Sequence, residues 1–378
     1  MANVSDVLIL GGGIIGMSTA YACAAAGLSV IVLEAETVAS GSSGAAAGML
    51  APQVEAQQRD AFFELCLQGR AVHRKLAEIL YDEIGVDVEY RQTGVLRVAL
   101  EDREAVDLRG RQQWQVENGL HAEWIEPHEL PSIEPLFHGA ARWQIAGALY
   151  LPDEAQVRSP RLVRALASAV QRRGGIIHEG ASVTHLLRAG DRVTGAESTA
   201  GSFSAATTIL AAGVWSGEIA ATLGVHLPLQ PIKGQIIAVD SILQQPQHIL
   251  WSGECYITPK ADSQTIIGST EEHAGYDRRP TLAGVFQLAE GATHLLPQFG
   301  KLPIANMWAG LRPALPDRFP AIGPVPGLEG LIIATGHFRN GILLGPLTGQ
   351  IVADLVRGIP SQWDIAPFST ERLLPHAM

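Results

Sequence analysis

Glycines at positions 11, 13 and 16 stand in the spacing G-x-G-x-x-G, and an acid, Glu34, follows about 20 residues later. That set suits a pyrophosphate and a ribose. Gly11 allows a tight turn, Gly13 lets backbone approach the pyrophosphate at a helix N-terminus, and Gly16 lets helix and strand pack closely. Glu34 can accept hydrogen bonds from ribose hydroxyls. A second stretch, S-G-S-S-G-A-A-A-G-M-L at 40–50, offers free backbone N–H groups and almost no side-chain bulk, so a flat ring system could lie against it. The alternative, a continuous Ala-rich helix, is penalised by about 1 kcal/mol at each of Gly41, Gly44 and Gly48. Toward the C-terminus, Arg312 lies in A-G-L-R-P, where a planar fork of donors suits a carboxylate bidentately; the bland alternative is a surface arginine. Tyr256 offers a hydroxyl to the same kind of ligand, or is a core tyrosine of a strand. Arg339, in a glycine-flanked turn, is suited equally to a flat cofactor or to a helix.

These residues need elements to hold them. Residues 7–33 carry no charged side chain and are long enough to cross a bilayer, but their internal pattern excludes a span. V-L-I-L at 7–10 reads as a buried strand broken by three glycines, 14–26 as a small-residue helix closed by Gly27, and V-I-V-L at 30–33 as a second strand ending at Glu34. This is a βαβ unit, and with it the glycine spacing becomes a dinucleotide site. Further on, a helix is expected over about 59–84, strands at 94–98 and near 148–150, and a helix over about 159–173. Short strands are expected at 176–177, 183–187, 192–196 and 202–205, and again at 235–239, 255–258 and 265–268. Two apolar strands, 208–212 and 331–335, stop at Gly213 and Gly336, and the second passes into a helix ending near Arg357 with Pro346 close to its start. The pattern predicts an α/β (mixed α+β) architecture. A Rossmann-like nucleotide domain is assembled from 1–50, 153–230 and 318–378, interleaved with an antiparallel-sheet substrate domain from 51–152 and 231–317.

Composition narrows the function classes. With 47% hydrophobic and 17% charged residues among 378, the chain is not disordered. Its 40 glycines exceed the usual ~7% share, as expected of backbone that approaches a ligand. A net charge of −11 without a basic cluster argues against nucleic acid. Three separated cysteines suggest neither a disulfide framework nor a zinc site, and the 12 histidines lack ligand spacing, so no metal is expected. The start lacks a basic n-region, and with the reduced cysteines this points to a cytoplasmic protein.

The chain resembles the glycine oxidases of the D-amino-acid-oxidase family of flavoproteins. The resemblance rests on 11–16, A-A-A-G-M-L at 45–50, G-V-W-S at 213–216, C-Y-I at 255–257, W-A-G-L-R-P at 308–313 and G-H-F-R-N-G at 336–341, which occur in family order over essentially the whole chain. It implies FAD held by Gly11, Gly13, Ile14, Ile15, Gly16, Glu34, Ala35, Ser42, Ser43, Ala47, Gly48, Met49, Val183 and Gly213. It extends that set through His337, Phe338, Arg339, Asn340, Gly341, Ile342 and Leu343. By the same resemblance Arg312 binds the substrate carboxylate, and Tyr256, Arg339 and Met49 complete the pocket. The implied reaction is oxidative deamination of glycine, sarcosine, D-alanine or D-proline, with hydride passing to flavin N5, O2 giving H2O2, and no catalytic acid or base. A role in thiazole (thiamine) synthesis and a homotetramer are implied as well.

Two departures bear on the substrate. Glu254 and Glu271 stand where better-known members carry a histidine and a methionine. Gly310 occupies the position at which sarcosine oxidases attach flavin to cysteine, so the FAD is expected to be noncovalent. The alternatives are a D-amino-acid dehydrogenase using a quinone, a sarcosine-oxidase-like enzyme, and a flavin module acting on tRNA bases, which the net charge disfavours.

Overall fold

A computed structural model describes residues 4–138, 145–253 and 255–373. Glu254, one of the two departures, lies outside the described residues. Two eight-stranded sheets dominate. At the centre of the first is Val4–Leu10, with Val30–Leu33 parallel on one side and Gly201–Leu210 parallel on the other. Ile176–His178 extends the first flank, and Leu328–Thr335 runs parallel to Gly201–Leu210. Val7 and Ile9 enter one apolar core while Leu8 and Leu10 enter the core on the opposite face. That two-sided burial is why the strand reads as an unbroken apolar run. Helices Ile14–Ala25, Ser159–Arg172 and Gly341–Val356 cover the first of these faces. Two expected strands, 202–205 and 208–212, are one continuous strand, Gly201–Leu210. Its first half carries small polar residues because only its second half is buried on both sides.

The second sheet runs in the order Ile304–Ala314, Gln230–Asp240, Gln264–Gly268, Cys255–Pro259, Ile249–Ser252, Val95–Ala99, Gly147–Leu151, Glu123–Ile125. Its pairings are antiparallel except one: Ile249–Ser252 runs parallel to Val95–Ala99, so the expected antiparallel sheet is mixed. That junction joins the two distant intervals that build this sheet, where no hairpin forces reversal. Strand alternation sorts its residues: Leu250, Ile257 and Ile237 pack under helix Leu282–Leu295, while Trp251, Tyr256 and Ile236 face the other way.

Two helices, Asp102–Glu117 and Leu282–Leu295, were not anticipated from the sequence. The first buries only Ala105, Leu108 and Gln115. The second contains Gly284 and Gly291, which count against a helix but let it sit close to Gln235 and Cys255 of the sheet. Helix Ala61–Ile84 falls in the interval 51–152, yet Leu65, Cys66 and Leu80 join the core of the first sheet. Gly69 brings its backbone against the Leu343 carbonyl.

Candidate active site

Strand Val4–Leu10 delivers Gly11 at φ +115°, a value that excludes most side chains, and a Cβ there would lie 2.5 Å from the Ala211 carbonyl oxygen. The chain then enters helix Ile14–Ala25 with Gly13 as N-cap and no side chain of its own to cap it. Ser43 supplies the missing acceptor: the Ile14 N–H donates to its Oγ at 2.9 Å. Glu34 is fixed by two backbone donors, Gly12 N–H to Oε2 at 2.6 Å and Glu36 N–H to Oε1 at 2.9 Å. Gly48 has φ +84° and no room for a side chain against the Val157 carbonyl. The result is bare backbone, one exposed helix N-terminus and one oriented carboxylate, which fits a dinucleotide.

These groups open on a cavity of about 570 Å³. Of the residues expected from the sequence, Gly11, Gly13, Ile14, Ile15, Glu34, Ala35, Ser42, Ser43, Ala47, Gly48, Met49, Val183 and Gly213 line it. So do His337, Phe338, Arg339, Asn340, Gly341 and Ile342 from the C-terminal turn, and Tyr256 and Arg312 from the second sheet. Gly16 and Leu343 do not. Gly16 sits under the Gly11 carbonyl, as a close-packing glycine should, and Leu343 is buried in the core. Sequence reasoning missed Ala181, Ser182, Thr184, Trp215, Glu218 and Arg278 on the walls. Trp215 lay inside a recognised motif, whereas Arg278, which pairs with Glu36 at 2.7 Å, sits in a loop with no pattern around it.

Trp308, Gly310 and Arg312 alternate along strand Ile304–Ala314 and therefore share a face. Trp308 Nε1 donates to the Ala45 carbonyl at 3.0 Å, and a Cβ on Gly310 would meet Ala45 Cβ at 2.7 Å. Arg312 donates to Thr270 O at 3.0 Å and to Ser269 Oγ at 2.5 Å, both neutral acceptors. Space for its guanidinium comes from Gly234 on the neighbouring strand, where a Cβ would lie 2.5 Å from Cζ. Burial lowers the Arg312 pKa from its ordinary value, and Tyr256, Glu271 and Glu55 partly counter this while Arg339 adds to it. Tyr256 is buried beside Trp251, ring centroids 5.6 Å apart, and burial raises its pKa with Arg312 opposing. Among the described residues no carboxylate pairs with Arg312. It is a half-buried cation whose donors open on the cavity.

Arg339 differs. It pairs with Glu55 at 2.8 Å and with Glu271 at 3.6 Å, so Glu271 is an ion-pair partner at the pocket. His337 is buried, shares a hydrogen bond with Thr348 Oγ1 at 3.0 Å, and burial pushes its pKa down to about 3. It stays neutral across the physiological range.

Helix Gly341–Val356 begins at the cavity, and Pro346 is its sixth residue, a full turn further in than a helix start tolerates. The carbonyl it orphans, Ile342 O, accepts instead from His73 Nε2 at 3.0 Å, with Leu343 O at 3.1 Å. The missing backbone donor is thus replaced by a side chain from helix Ala61–Ile84.

Among the described residues no group of His, Cys, Asp or Glu could hold a metal ion, and no helix is long and apolar enough to cross a membrane. The family described as FAD dependent oxidoreductase (DAO) matches residues 6–355. A glycine oxidase of Geobacillus kaustophilus is 35% identical over 373 residues, covering 98% of each chain. The crystal structure of glycine oxidase from that organism superimposes with a TM-score of 0.93 at 34% identity, covering 99% of each chain. The bifunctional protein ThiO/ThiG of Trichormus variabilis is 33% identical over 355 residues, 93% of this chain and 52% of that one.

Proposed function

Because the chain belongs to the FAD-dependent oxidoreductases of the DAO family, we propose that it oxidatively deaminates glycine and small amines such as sarcosine, D-alanine and D-proline. The observation that carries this reading is the Arg312 guanidinium, which has no carboxylate partner among the described residues, in the same cavity as the dinucleotide cradle. Arg312 holds the substrate carboxylate bidentately, and the Tyr256 hydroxyl faces the same group. Trp251, Met49 and Ile236 leave apolar walls around the α-carbon and keep water away.

FAD, when bound, would supply a two-electron acceptor at N5 for the α-carbon hydride, with O2 as the final oxidant giving H2O2. No side chain has to remove the α-proton, because it leaves as hydride from an amine that arrives deprotonated. His337 is in keeping with this, since burial holds its pKa down to about 3, which makes it a weak base, and its Nε2 is engaged by Thr348. The N-terminus of helix Gly341–Val356 opens on the cavity and would offer partial positive charge to a reduced flavin held there. The released imine hydrolyses to a keto acid and ammonia, which for glycine means glyoxylate.

Noncovalent FAD accords with the cavity walls, which include none of Cys23, Cys66 and Cys255; acid precipitation should leave the yellow colour in the supernatant. The similarity to a ThiO/ThiG protein supports supply of glycine imine to thiazole (thiamine) synthesis. A cytoplasmic homotetramer belongs to the same reading, and light scattering tests the assembly. The decisive experiment is anaerobic flavin bleaching together with aerobic H2O2 release for glycine, sarcosine, D-alanine and D-proline. Bleaching without H2O2 would identify a dehydrogenase. No bleaching with any of the four would overturn the proposal.

A further inference from the structure

Three guanidiniums line the cavity; Arg278 pairs with Glu36, and the other two have opposite surroundings. Among the described residues Arg312 has only neutral acceptors, Thr270 O and Ser269 Oγ. Arg339 has two carboxylates, Glu55 Oε1 at 2.8 Å and Glu271 Oε2 at 3.6 Å. The acids come from different places: Glu55 ends the short helix Pro52–Glu55, and Glu271 follows strand Gln264–Gly268. Glu271 is steadied from outside by Arg318 at 2.9 Å, whose guanidinium lies 4.9 Å over the Phe338 ring. Arg339 itself lies 5.7 Å from the Trp251 ring centroid, on the pocket wall.

We propose that Glu55 and Glu271 set the substrate charge of this site: by occupying Arg339 they prevent it from receiving a second carboxylate and confine the enzyme to monocarboxylate amines. The proposal rests on the reading that Arg312 binds the substrate carboxylate. An N-carboxymethyl glycine, iminodiacetate, anchored on Arg312 would carry its second carboxylate toward a cation already neutralised. It would meet Glu55, on the cavity wall, as a like charge with Glu271 behind Arg339, and like-charge juxtaposition is a strong means of rejection. Without the acids, Arg339 would remain against Trp251 as a free fork of donors. Glu271 acts through Arg339 and is a positioning residue.

The test is Glu55→Gln/Glu271→Gln in the FAD-loaded enzyme. The ratio of kcat/KM for iminodiacetate to that for glycine should rise about tenfold or more, equal to ~1.4 kcal/mol, with the gain in KM rather than kcat. N-ethylglycine, similar in length but uncharged at its end, should not share the gain. Adding Arg339→Met should abolish it, and Glu271→Asp alone should keep the native ratio. An unchanged ratio, a gain shared with N-ethylglycine, or a gain that survives Arg339→Met overturns the proposal. Flavin absorbance titrations with malonate and acetate read the same preference without turnover. If acetate binding does not respond to Arg312→Ala, the underlying reading fails. If acetate behaves as expected but the malonate-to-acetate ratio is unmoved by the acid substitutions, only the present proposal fails.

Discussion

Replacing Arg312 with alanine separates function from stability in opposite directions. The guanidinium is enclosed by Thr270, Ser269 and the backbone of Gly234, and it lacks a carboxylate among the described residues. A substrate carboxylate arriving there completes a buried, hydrogen-bonded charge pair. Truncating one member of such a pair costs about 2–5 kcal/mol. At ~1.4 kcal/mol per tenfold, that is between about thirtyfold and several thousandfold in affinity. The cavity opens to solvent, so water partly compensates the loss and a value near a hundredfold is expected, on the order of 3 kcal/mol.

The same substitution removes a desolvated cation from the apoprotein. A buried charge without a partner is unfavourable, and its loss leaves only a carbonyl and a hydroxyl to be rehydrated. The Tm of Arg312→Ala should therefore be equal to or above that of the native protein. FAD should stay bound, because the groups of the dinucleotide cradle bond to one another and to Ser43, not to Arg312. Arg312→Lys should fall between the two, keeping the charge but losing the bidentate fork. Steady-state kinetics with glycine, acetate titration of the flavin spectrum and thermal melts supply the readings. A native KM and acetate affinity in Arg312→Ala would refute the carboxylate assignment, and a large drop in Tm would refute the unpaired-cation argument.

Gly234→Ala pushes a methyl into the Arg312 guanidinium, and should raise the glycine KM about tenfold with FAD retained; KM measurement on the FAD-loaded variant checks this. Gly11→Ala forces a side chain onto φ +115° and the Ala211 carbonyl, strain of about 1–3 kcal/mol, and flavin fluorescence titration should show FAD affinity falling about tenfold or more. His73 has its pKa pushed by burial from 6.5 down to about 4, so the unfolded chain takes up its proton first as pH falls. Its contribution is complete above the unfolded value of about 6.5 and is lost as pH drops toward 4, with a slope approaching 1.4 kcal/mol per pH unit. His73→Gln, which keeps a donor for the two carbonyls, should show a shallower fall in urea midpoint between those pH values; an equal slope would exclude His73 as its source.

The dinucleotide end was legible because its logic is local. Gly11, Gly13, Gly16 and Glu34 belong to one strand, helix and strand, where Gly11 makes the tight turn and Gly16 the close packing that their spacing implies. Arg312 and Tyr256 were legible as residue types with a chemical preference, and strand alternation carries them to the pocket. What escaped was pairwise and distant. Gly234 matters because Gln230–Asp240 pairs with Ile304–Ala314, bringing Gly234 opposite Gly310 and Ile232 opposite Arg312. Neither sequence segment announces that register. Glu271 was visible as a departure from its relatives, but its two arginine partners lie 47 and 68 positions away in the chain and in different turns.

Pro346 shows why the division of the chain into two interleaved domains is physically incomplete. A proline in the second turn should break or kink the helix whose N-terminus faces the flavin site. The helix survives because His73, 269 residues away along the chain, hydrogen-bonds the Ile342 carbonyl, and Gly69 lets the two helices approach closely enough for it to reach. Both residues belong to Ala61–Ile84, inside the interval that sequence organisation gives to the substrate domain. The helix that completes the cofactor site thus depends for its hydrogen bonding on a helix from the other interval. A domain that borrows a buried donor in this way is not self-sufficient, since without it the carbonyl of Ile342 would be buried unpaired at about 1–3 kcal/mol. Interleaving in this fold therefore reaches beyond strand order to the hydrogen bonds of the cofactor-facing helix itself.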